Sequence, residues 1–346
     1  MNFIRNNLML VIALVGLMIL SPICHQYMDP YILDLVMLIG INSCLAISLT
    51  LINGMAGQFS LGHAGFMAVG AYVSASLTLF TGPTVFAFLQ SLGIPPSVCQ
   101  VLWFPLIIIC GGLAAGTVSL LIGIPTLRLR GDYLAIATLG FGEIIRVVIV
   151  NMKSVGGPIG LGPIPEYTTF FWVFGTCVIA AFVILRWVNS TRGNSLYAVR
   201  EDEIAAVSVG INTTFYKVSA FVVGAFFAGA AGCLYAHRLG RIEPDSFAFI
   251  RSVEIVTMVV LGGLGSVSGA VLGAIALTLL SELPRQLKDM ESLPVVIQNL
   301  SEYRMIIYAV LLIILMILRP QGLLGHREFS LKMFRLRKYT REASAK

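Results

Sequence analysis

The chain has 346 residues, of which 57% are hydrophobic and 12% are charged, and its formal net charge is +6. Soluble domains carry about twice that share of charged residues. A globule of this size also has too little interior to hide so many apolar side chains from water. The composition therefore excludes a soluble enzyme, a disordered chain and a nucleic-acid-binding module, and it indicates a protein that crosses a lipid membrane several times.

Nine apolar runs predict an all-α, polytopic transmembrane helix bundle of about eight to ten spans, because they are long and lack the alternation of strands. No cleavage-site pattern follows the first run, which we therefore interpret as a retained span. We predict one transmembrane domain over residues 1–318 and a basic tail over 319–346. In chain order the runs cover residues 8–20, 31–52, 64–80, 101–122, 134–150, 170–188, 218–236, 253–280 and 305–318.

Lysine and arginine residues set the predicted orientation, because loops that are rich in them stay in the cytoplasm. Arg128 and Arg130 lie in one such loop, a second basic group lies between 186 and 217, and eight of the 23 Lys and Arg fall in residues 319–346. If the chain alternates from a cytoplasmic N-terminus, a single crossing by 253–280 would put the basic tail outside. We therefore predict that this run crosses an even number of times, or dips into the membrane and returns.

Two glycine- and serine-rich stretches interrupt the apolar runs, one in each half of the chain. Glycine is a poor helix former, and backbone groups freed by a break within lipid must be buried in protein or face water. Paired interruptions are typical of a substrate path in transporters, and close helix packing through small residues is the alternative interpretation. We predict two breaks related by a pseudo-repeat, with the candidate path residues Asn53, Gly54, Gly57, Gln58, Ser60, Gly62 and His63 in the first and Gly262, Gly263, Gly265, Ser266 and Gly269 in the second.

The polar segment 189–216 is predicted to lie in the cytoplasm and to contain a short helix. Its acidic triplet, Glu201 to Glu203, suits a helix N-terminus, where the helix dipole favours negative charge. Gly210 suits the position just after a helix end. Small and aliphatic residues lie between them. One interpretation is an ordinary interfacial helix; the other is a helix that docks into a groove of a cytoplasmic partner.

Specific motifs distinguish between these two interpretations of the short helix. Glu203-Ile204-Ala205-Ala206 followed by Gly210 resembles the EAA loop of bacterial ABC importer permeases, the element that contacts the ATPase. Four further segments resemble the LivM-type permeases of the branched-chain amino acid importers, and the matches span most of the chain. They lie at residues 57–66, 127–143, 156–161 and 261–273.

This resemblance implies a multi-pass permease subunit of the bacterial inner membrane, with a cytoplasmic C-terminus, that imports branched-chain amino acids by alternating access. Family members work with a second, LivH-type permease, two cytoplasmic ATPase subunits and an extracytoplasmic substrate-binding protein. The residues expected to couple this chain to the ATPases are Arg200, Glu201, Asp202, Glu203, Ala205, Ala206 and Gly210. ATP and Mg would be bound by the partners, because this chain has no phosphate-loop motif. We therefore expect no cofactor and no enzymatic activity in the chain itself.

The sequence leaves two alternative transport functions open. Related permeases that import urea or short amides share these motifs, and a self-sufficient secondary transporter could use the same interruptions. A secondary transporter has no need for a docking helix, so the 189–216 segment favours the ATP-driven importer. We find no catalytic constellation, no metal-ligand spacing and no nucleic-acid site in the sequence.

Several charged residues fall within or near the apolar runs. Glu143 and Arg146 are three residues apart, which places them on one helix face within reach of each other. A lone charge in the bilayer would be costly, and we interpret them as a structural ion pair in preference to a polar path. Asp34 is interpreted as an interfacial residue, and His63 as a hydrogen-bonding partner within the first break.

Overall fold

The computed structural model describes residues 2–288 apart from 128 and 130, together with 310, 313, 322 and 323. Within this part of the chain the regular elements are helices, and an isolated antiparallel bridge joins Leu161 to Ile242. The predictions for Arg128, Arg130, the 305–318 run and most of the basic tail lie outside the described residues.

Seven helical stretches in the described part are long and apolar enough to cross a membrane, which confirms the prediction of an all-α polytopic bundle. Two short helices lie between the last two of them, and two further helices follow. The elements are α1 (Asn2–Tyr27), α2 (Pro30–Leu49) with a π-helical extension (Thr50–Met55), α3 (His63–Ser76) with a π-helical turn (Leu77–Thr81) that leads into α4 (Gly82–Ser91), α5 (Pro96–Thr126), α6 (Asp132–Asn151), α7 (Phe170–Val188), α8 (Thr191–Glu201), α9 (Glu203–Ser208), α10 (Thr213–Leu239), α11 (Phe249–Gly262) and α12 (Val267–Lys288).

Capping residues explain where the long helices begin and end. The Asp29 side chain accepts a hydrogen bond from the Tyr31 amide at the start of α2, where proline occupies the first turn. The Asn212 side chain accepts one from the Phe215 amide, so α10 begins five residues before the predicted run. Gly240 ends α10 in the left-handed conformation that favours glycine.

The centre of the bundle is a close contact of α10 with α3 and α5. A Cβ atom on Gly70 would lie 2.1 Å from the carbonyl oxygen of Gly229, and one on Gly232 would lie 2.0 Å from that of Met67. Because such distances leave no room for a side chain, these glycines let the helix backbones touch, as is typical of membrane helix packing.

The outer surface of the bundle is apolar. On α1 the side chains of Ile12 and Met18 are exposed, and on α6 those of Ile136 and Val147 are exposed. Large apolar surfaces of this kind are unfavourable in water and are suited to lipid. The protein is therefore a multi-pass membrane protein.

The 253–280 run forms a helical hairpin, α11 and α12, which residues 263–266 connect. A Cβ atom on Gly273 would lie 2.0 Å from the Met258 carbonyl oxygen, and one on Gly262 would lie 2.1 Å from that of Gly269. The end of α11 faces the start of α12, and a residue earlier in α11 faces one later in α12, so the two helices are antiparallel and in close contact. The predicted break is present, and Gly269 lies in the first turn of α12 just beyond it.

Helix α11 begins inside the membrane-spanning part of the bundle. The amide of Phe249 donates a hydrogen bond to Glu143 Oε1 at 3.0 Å, and Glu143 lies eight residues, or about 12 Å, before α6 ends at Asn151. The 14 residues of α11 extend about 21 Å, less than the ~30 Å of a hydrocarbon core. The run therefore doubles back on itself, as the charge argument requires of a run that crosses an even number of times or dips and returns.

The two ends of the bundle differ. The first end, which we call the coupling end, carries α8, α9, residues 56–62 and the 263–266 connection. Leu323 also lies at this end, because its amide donates to the Leu261 carbonyl at 2.8 Å. At the opposite end Arg238 pairs with Asp34, so Asp34 is in an ion pair between α10 and α2.

Candidate coupling and translocation site

Helices α8 and α9 occupy the middle of the 189–216 segment and meet at Asp202. The Asp202 carboxylate accepts hydrogen bonds from the amides of Ile204 and Ala205 at 2.8 and 3.0 Å, so this residue caps α9. Gly210 follows α9 with a φ of +82°. The predicted acidic cap and terminal glycine are confirmed for these two residues, whereas Glu201 ends α8 and does not begin α9.

Helix α9 presents an apolar face to the outside. Ile204, Val207 and Val209 are 72%, 58% and 74% exposed, and Ala205 is exposed beside them. Ala206, one of the residues expected to couple the chain to the ATPases, is 3% exposed and packs against the chain itself, so it is not part of the exposed face of α9. The reason is that a six-residue helix must turn one side toward the bundle, and Ala206 is on that side. The accessible surface is formed by Ile204, Val207 and Val209, which are larger aliphatic residues and are not among the predicted coupling residues.

An ion pair anchors α9 to the bundle. Glu203 Oε1 lies 2.7 Å from Nζ of Lys217, which belongs to the first turns of α10 and is 13% exposed. In addition, the Ile211 amide donates to the carbonyl of Ala206 at 3.0 Å, which closes the turn after α9. Helix α9 is thus attached to α10 as well as to α8.

Arg200, near the end of α8, contacts the first helix break directly. Its Nη1 donates to the Gly54 carbonyl at 2.7 Å. Its side chain also covers Gly57, where a Cβ atom would lie 2.8 Å from Arg200 Cγ. Gly57 has a φ of +67°, a backbone conformation that strongly favours glycine. The helix that precedes α9 is therefore bonded to the point where α2 ends.

The two predicted breaks meet in space where Gly54 contacts Gly265, and we call this contact, with the neighbouring residues Gly57 and Gly263, the glycine junction. A Cβ atom on Gly54 would lie 2.4 Å from the Gly265 nitrogen and 2.8 Å from its Cα. Gly263 and Gly265 have φ values of +116° and +94°, which allow the sharp connection between α11 and α12. The Ser266 hydroxyl accepts a hydrogen bond from the Gly269 amide at 3.0 Å and so caps α12.

Polar side chains hold the first break together. Asn53 Oδ1 accepts a hydrogen bond from the Ser60 amide at 3.1 Å. His63, in the first turn of α3, shares a hydrogen bond of 2.8 Å with the Ser48 hydroxyl. Among the described residues, no partner faces the His63 Nδ1 atom or the side-chain amide of Gln58, although both side chains are buried. Buried polar atoms of this kind are expected where water or a solute reaches a helix break.

The remaining predicted path residues make helix contacts. Gly62 faces α6, where a Cβ atom would lie 2.4 Å from the carbonyl oxygen of Thr138. The Thr138 hydroxyl accepts a hydrogen bond from the Leu61 amide at 3.0 Å. Gly262 and Gly269 face each other within the hairpin. For Gly62, Gly262 and Gly269 the geometry matches the interpretation that small residues allow close helix packing.

The Glu143–Arg146 pair is confirmed as an ion pair, with 2.8 Å between Glu143 Oε2 and Arg146 Nε. Arg146 Nη1 also lies 3.1 Å from Asp245 Oδ1, in the segment that precedes α11. Because Glu143 also accepts the Phe249 amide, this group fixes the start of α11 against α6.

A second polar group was not predicted. Arg251 and Glu254 form an ion pair on α11, with 2.8 Å between Nη1 and Oε2, and Arg251 reaches Asn42 on α2. The sequence pattern placed Arg251 in the loop before the apolar run. The available signal was the three-residue spacing of Arg251 and Glu254, the same spacing that predicted the Glu143–Arg146 pair.

This fold and site define a polytopic helical membrane protein of the permease type. Residues 31–316 match the family model described as "Branched-chain amino acid transport system / permease component". The chain is 34% identical to the high-affinity branched-chain amino acid transport system permease protein LivM of Escherichia coli, over 92% of this chain and 76% of that protein. It is 35% identical to LivM of Salmonella typhimurium, over 84% and 69% of the two chains. The chain therefore belongs to the family of branched-chain amino acid transport permeases.

A more distant similarity connects the chain to the LivH type of permease. It is 30% identical to the E. coli permease protein LivH over 44% of each chain. No solved structure matches the chain significantly.

Proposed function

We propose that this chain is a transmembrane permease subunit of an ATP-driven importer of branched-chain amino acids in the bacterial inner membrane. The relatives that cover most of the chain carry names that refer to branched-chain amino acid transport. None of these relatives carries a name that refers to urea or short amides. The single observation that supports the mechanism is the connection of an exposed apolar helix, α9, to two helix breaks through Arg200.

The proposed partners follow from this geometry and from the relatives. The apolar face of α9 would dock into a groove of a cytoplasmic ATPase subunit, as an amphipathic helix does in other complexes. The LivH-type similarity supports a second permease that pairs with this chain. Two ATPase subunits, which bind ATP and Mg, and an extracytoplasmic binding protein complete the assembly. The contact of Leu323 at the coupling end supports a cytoplasmic C-terminal tail.

Alternating access would then proceed through the glycine junction. Closure of the ATPase subunits on ATP displaces α8 and α9, and Arg200 carries this movement to Gly54 and Gly57. Because Gly54 touches Gly265, the α11–α12 hairpin moves with the end of α2. Helix breaks are suited to this role, since a few residues at an element end absorb the change in backbone angles. The other path candidates, from Asn53 to His63 and from Gly262 to Gly269, surround this moving contact.

The test is attachment of the ATPase subunits to tagged permease in detergent. Replacing both Ile204 and Val207 with Asp puts two charges on the exposed α9 face, so we expect the ATPases to be lost while the permease stays folded. The matched control is Asn194→Asp, which adds a charge at an exposed position of α8 outside that face. Normal ATPase attachment in the double variant, or leucine uptake by this chain alone in liposomes with an ion gradient, would refute the proposal.

A further inference from the structure

Four polar side chains from three helices meet in one hydrogen-bonded group, and we call them the Arg251 cluster (Asn42, Arg251, Glu254 and Thr278). Arg251 Nη2 donates to Asn42 Oδ1 at 2.7 Å, and Asn42 Nδ2 donates to the Thr278 hydroxyl at 2.8 Å. Arg251 Nη1 donates to Glu254 Oε2 at 2.8 Å. Each helix of the α2, α11 and α12 group therefore supplies part of one hydrogen-bonded chain.

The cluster lies about half the length of a membrane span from the coupling end. Along their helices, Arg251 and Thr278 are each eleven residues from the hairpin ends at Gly262 and Val267, which corresponds to about 16 Å. Asn42 is twelve residues from Gly54, or about 18 Å. These distances from the coupling end are about half of a ~30 Å hydrocarbon core. The three helices thus place the cluster at one common depth.

Charged groups at this depth are costly unless they face water, a solute or protein. Asn42 and Thr278 are each 2% exposed and hold the guanidinium from the inner side. The Glu254 side chain is 36% exposed and that of Arg251 is 17% exposed, so the ion pair lies at the edge of this subunit. Arg251 Nε has no hydrogen-bond partner in the described part of the chain. The guanidinium therefore keeps one N–H that is buried and unpaired among the described residues, and the Glu254 carboxylate is the more accessible member of the pair.

The surface beside the ion pair is aliphatic. Ile250 is 53% exposed and Val253 is 37% exposed. Ile250 lies three and four residues before Val253 and Glu254, so these side chains share one face of α11. A positive group, a negative group and an apolar surface thus adjoin each other. This is the complement of a zwitterionic α-amino acid with an aliphatic side chain, because an arginine fork suits a carboxylate and a carboxylate suits an ammonium group.

We propose that Arg251 and Glu254 form a solute subsite at mid-membrane, where Arg251 receives the α-carboxylate and Glu254 the α-ammonium group of the passing amino acid. The subsite rests on the proposed transport function and names the residues that contact its solute. It lies on α11, the helix that the glycine junction moves, and away from the predicted path residues at the coupling end.

The experiment uses the complete complex of both permeases and both ATPases in proteoliposomes, with the binding protein and tritiated leucine. We expect Arg251→Gln and Glu254→Gln to lower leucine uptake by about ten- to hundredfold, because each removes a hydrogen bond to a charged group. Arg241→Gln is the control, since Arg241 forms an exposed pair with Glu243 outside the cluster, with 3.9 Å between Nε and Oε1. Its uptake is expected to stay near that of the wild type, and equal losses in all three variants would overturn the subsite.

The double variant, Arg251→Gln with Glu254→Gln, separates a binding role from a structural ion pair. Removing both charges relieves the cost of an unpaired buried charge, so assembly and thermal stability of the complex should recover relative to the single variants. Uptake that remains low in the assembled double variant supports the subsite. Uptake that recovers, or single variants that transport like the wild type, would overturn it. A wild-type complex that does not import leucine would instead overturn the proposed function, and the subsite with it.

Discussion

The hydrogen bond from Arg200 to Gly54 is the contact whose removal tests the mechanism most directly. Arg200→Met keeps a long apolar side chain over Gly57 and removes the guanidinium, so the Gly54 carbonyl loses a donor at 2.7 Å. Hydrogen bonds to charged groups contribute about 1.5 to 3 kcal/mol. Because the Arg200 side chain is 26% exposed, solvent screening favours the lower part of that range, about 1.5 to 2 kcal/mol. If this hydrogen bond couples the movement of α8 to that of Gly54, its loss makes the coupling about 10- to 30-fold weaker.

The measurement is the number of leucine molecules imported per ATP hydrolysed by the reconstituted complex. We expect the ATPase subunits to copurify with the Arg200→Met variant, because the exposed face of α9 is unchanged, and ATP hydrolysis to continue. Import per ATP should fall by about 10- to 30-fold. Arg192→Met is the control, since Arg192 is an exposed arginine on the same helix, α8. Wild-type import per ATP in Arg200→Met would show that this contact transmits no movement.

Three further predictions concern the same end of the molecule. Gly54→Leu should abolish uptake and lower the melting temperature of the complex, because its Cβ would lie 2.4 Å from the Gly265 backbone. The control is Gly140→Ala, which should change neither quantity because a Cβ there meets no atom within 4 Å. Lys217→Ala should lower the affinity for the ATPase subunits severalfold in a pull-down titration, because it removes the 2.7 Å ion pair that orients α9. Asp202→Ala should remove about 1 kcal/mol of capping energy and speed amide exchange in α9 relative to α8; equal exchange in the variant and wild type would contradict the capping role.

The helices themselves could be predicted because their signals are local. Apolar runs located the spans, and glycine located the break after Gly262, where positive φ values at Gly263 and Gly265 exclude most other residues. The start of α11 could not be located in this way. Residues 249–252 extend the helix before the apolar run, and Phe249 at the start of this extension donates a hydrogen bond to Glu143, which lies 106 residues earlier in the chain.

In the candidate site, too, local features could be predicted from the sequence and long-range contacts could not. Asp202 and Gly210 act through their own backbone neighbours, so their capping roles are visible in the sequence. Which side of α9 is exposed depends on where α9 packs, and a six-residue helix has no periodicity long enough to show it. The hydrogen bond between Arg251 and Asn42 joins residues 209 positions apart, and neither residue by itself indicates the other.

The observed contacts connect the exposed face of α9 to Arg251. Arg200 joins the end of α8 to Gly54, Gly54 touches Gly265, and α11 extends from that junction to Arg251. Helix α11 is held at its far end by the Glu143 carboxylate, so in the proposed mechanism a displacement of the junction would tilt this short helix about that end. A tilt of α11 changes the geometry between Arg251 and Asn42, which belong to different helices. It leaves the geometry between Arg251 and Glu254 intact, because both are on α11. ATP-driven movement would therefore alter how firmly α2 holds the guanidinium, and with it the affinity for a carboxylate, without separating the ion pair.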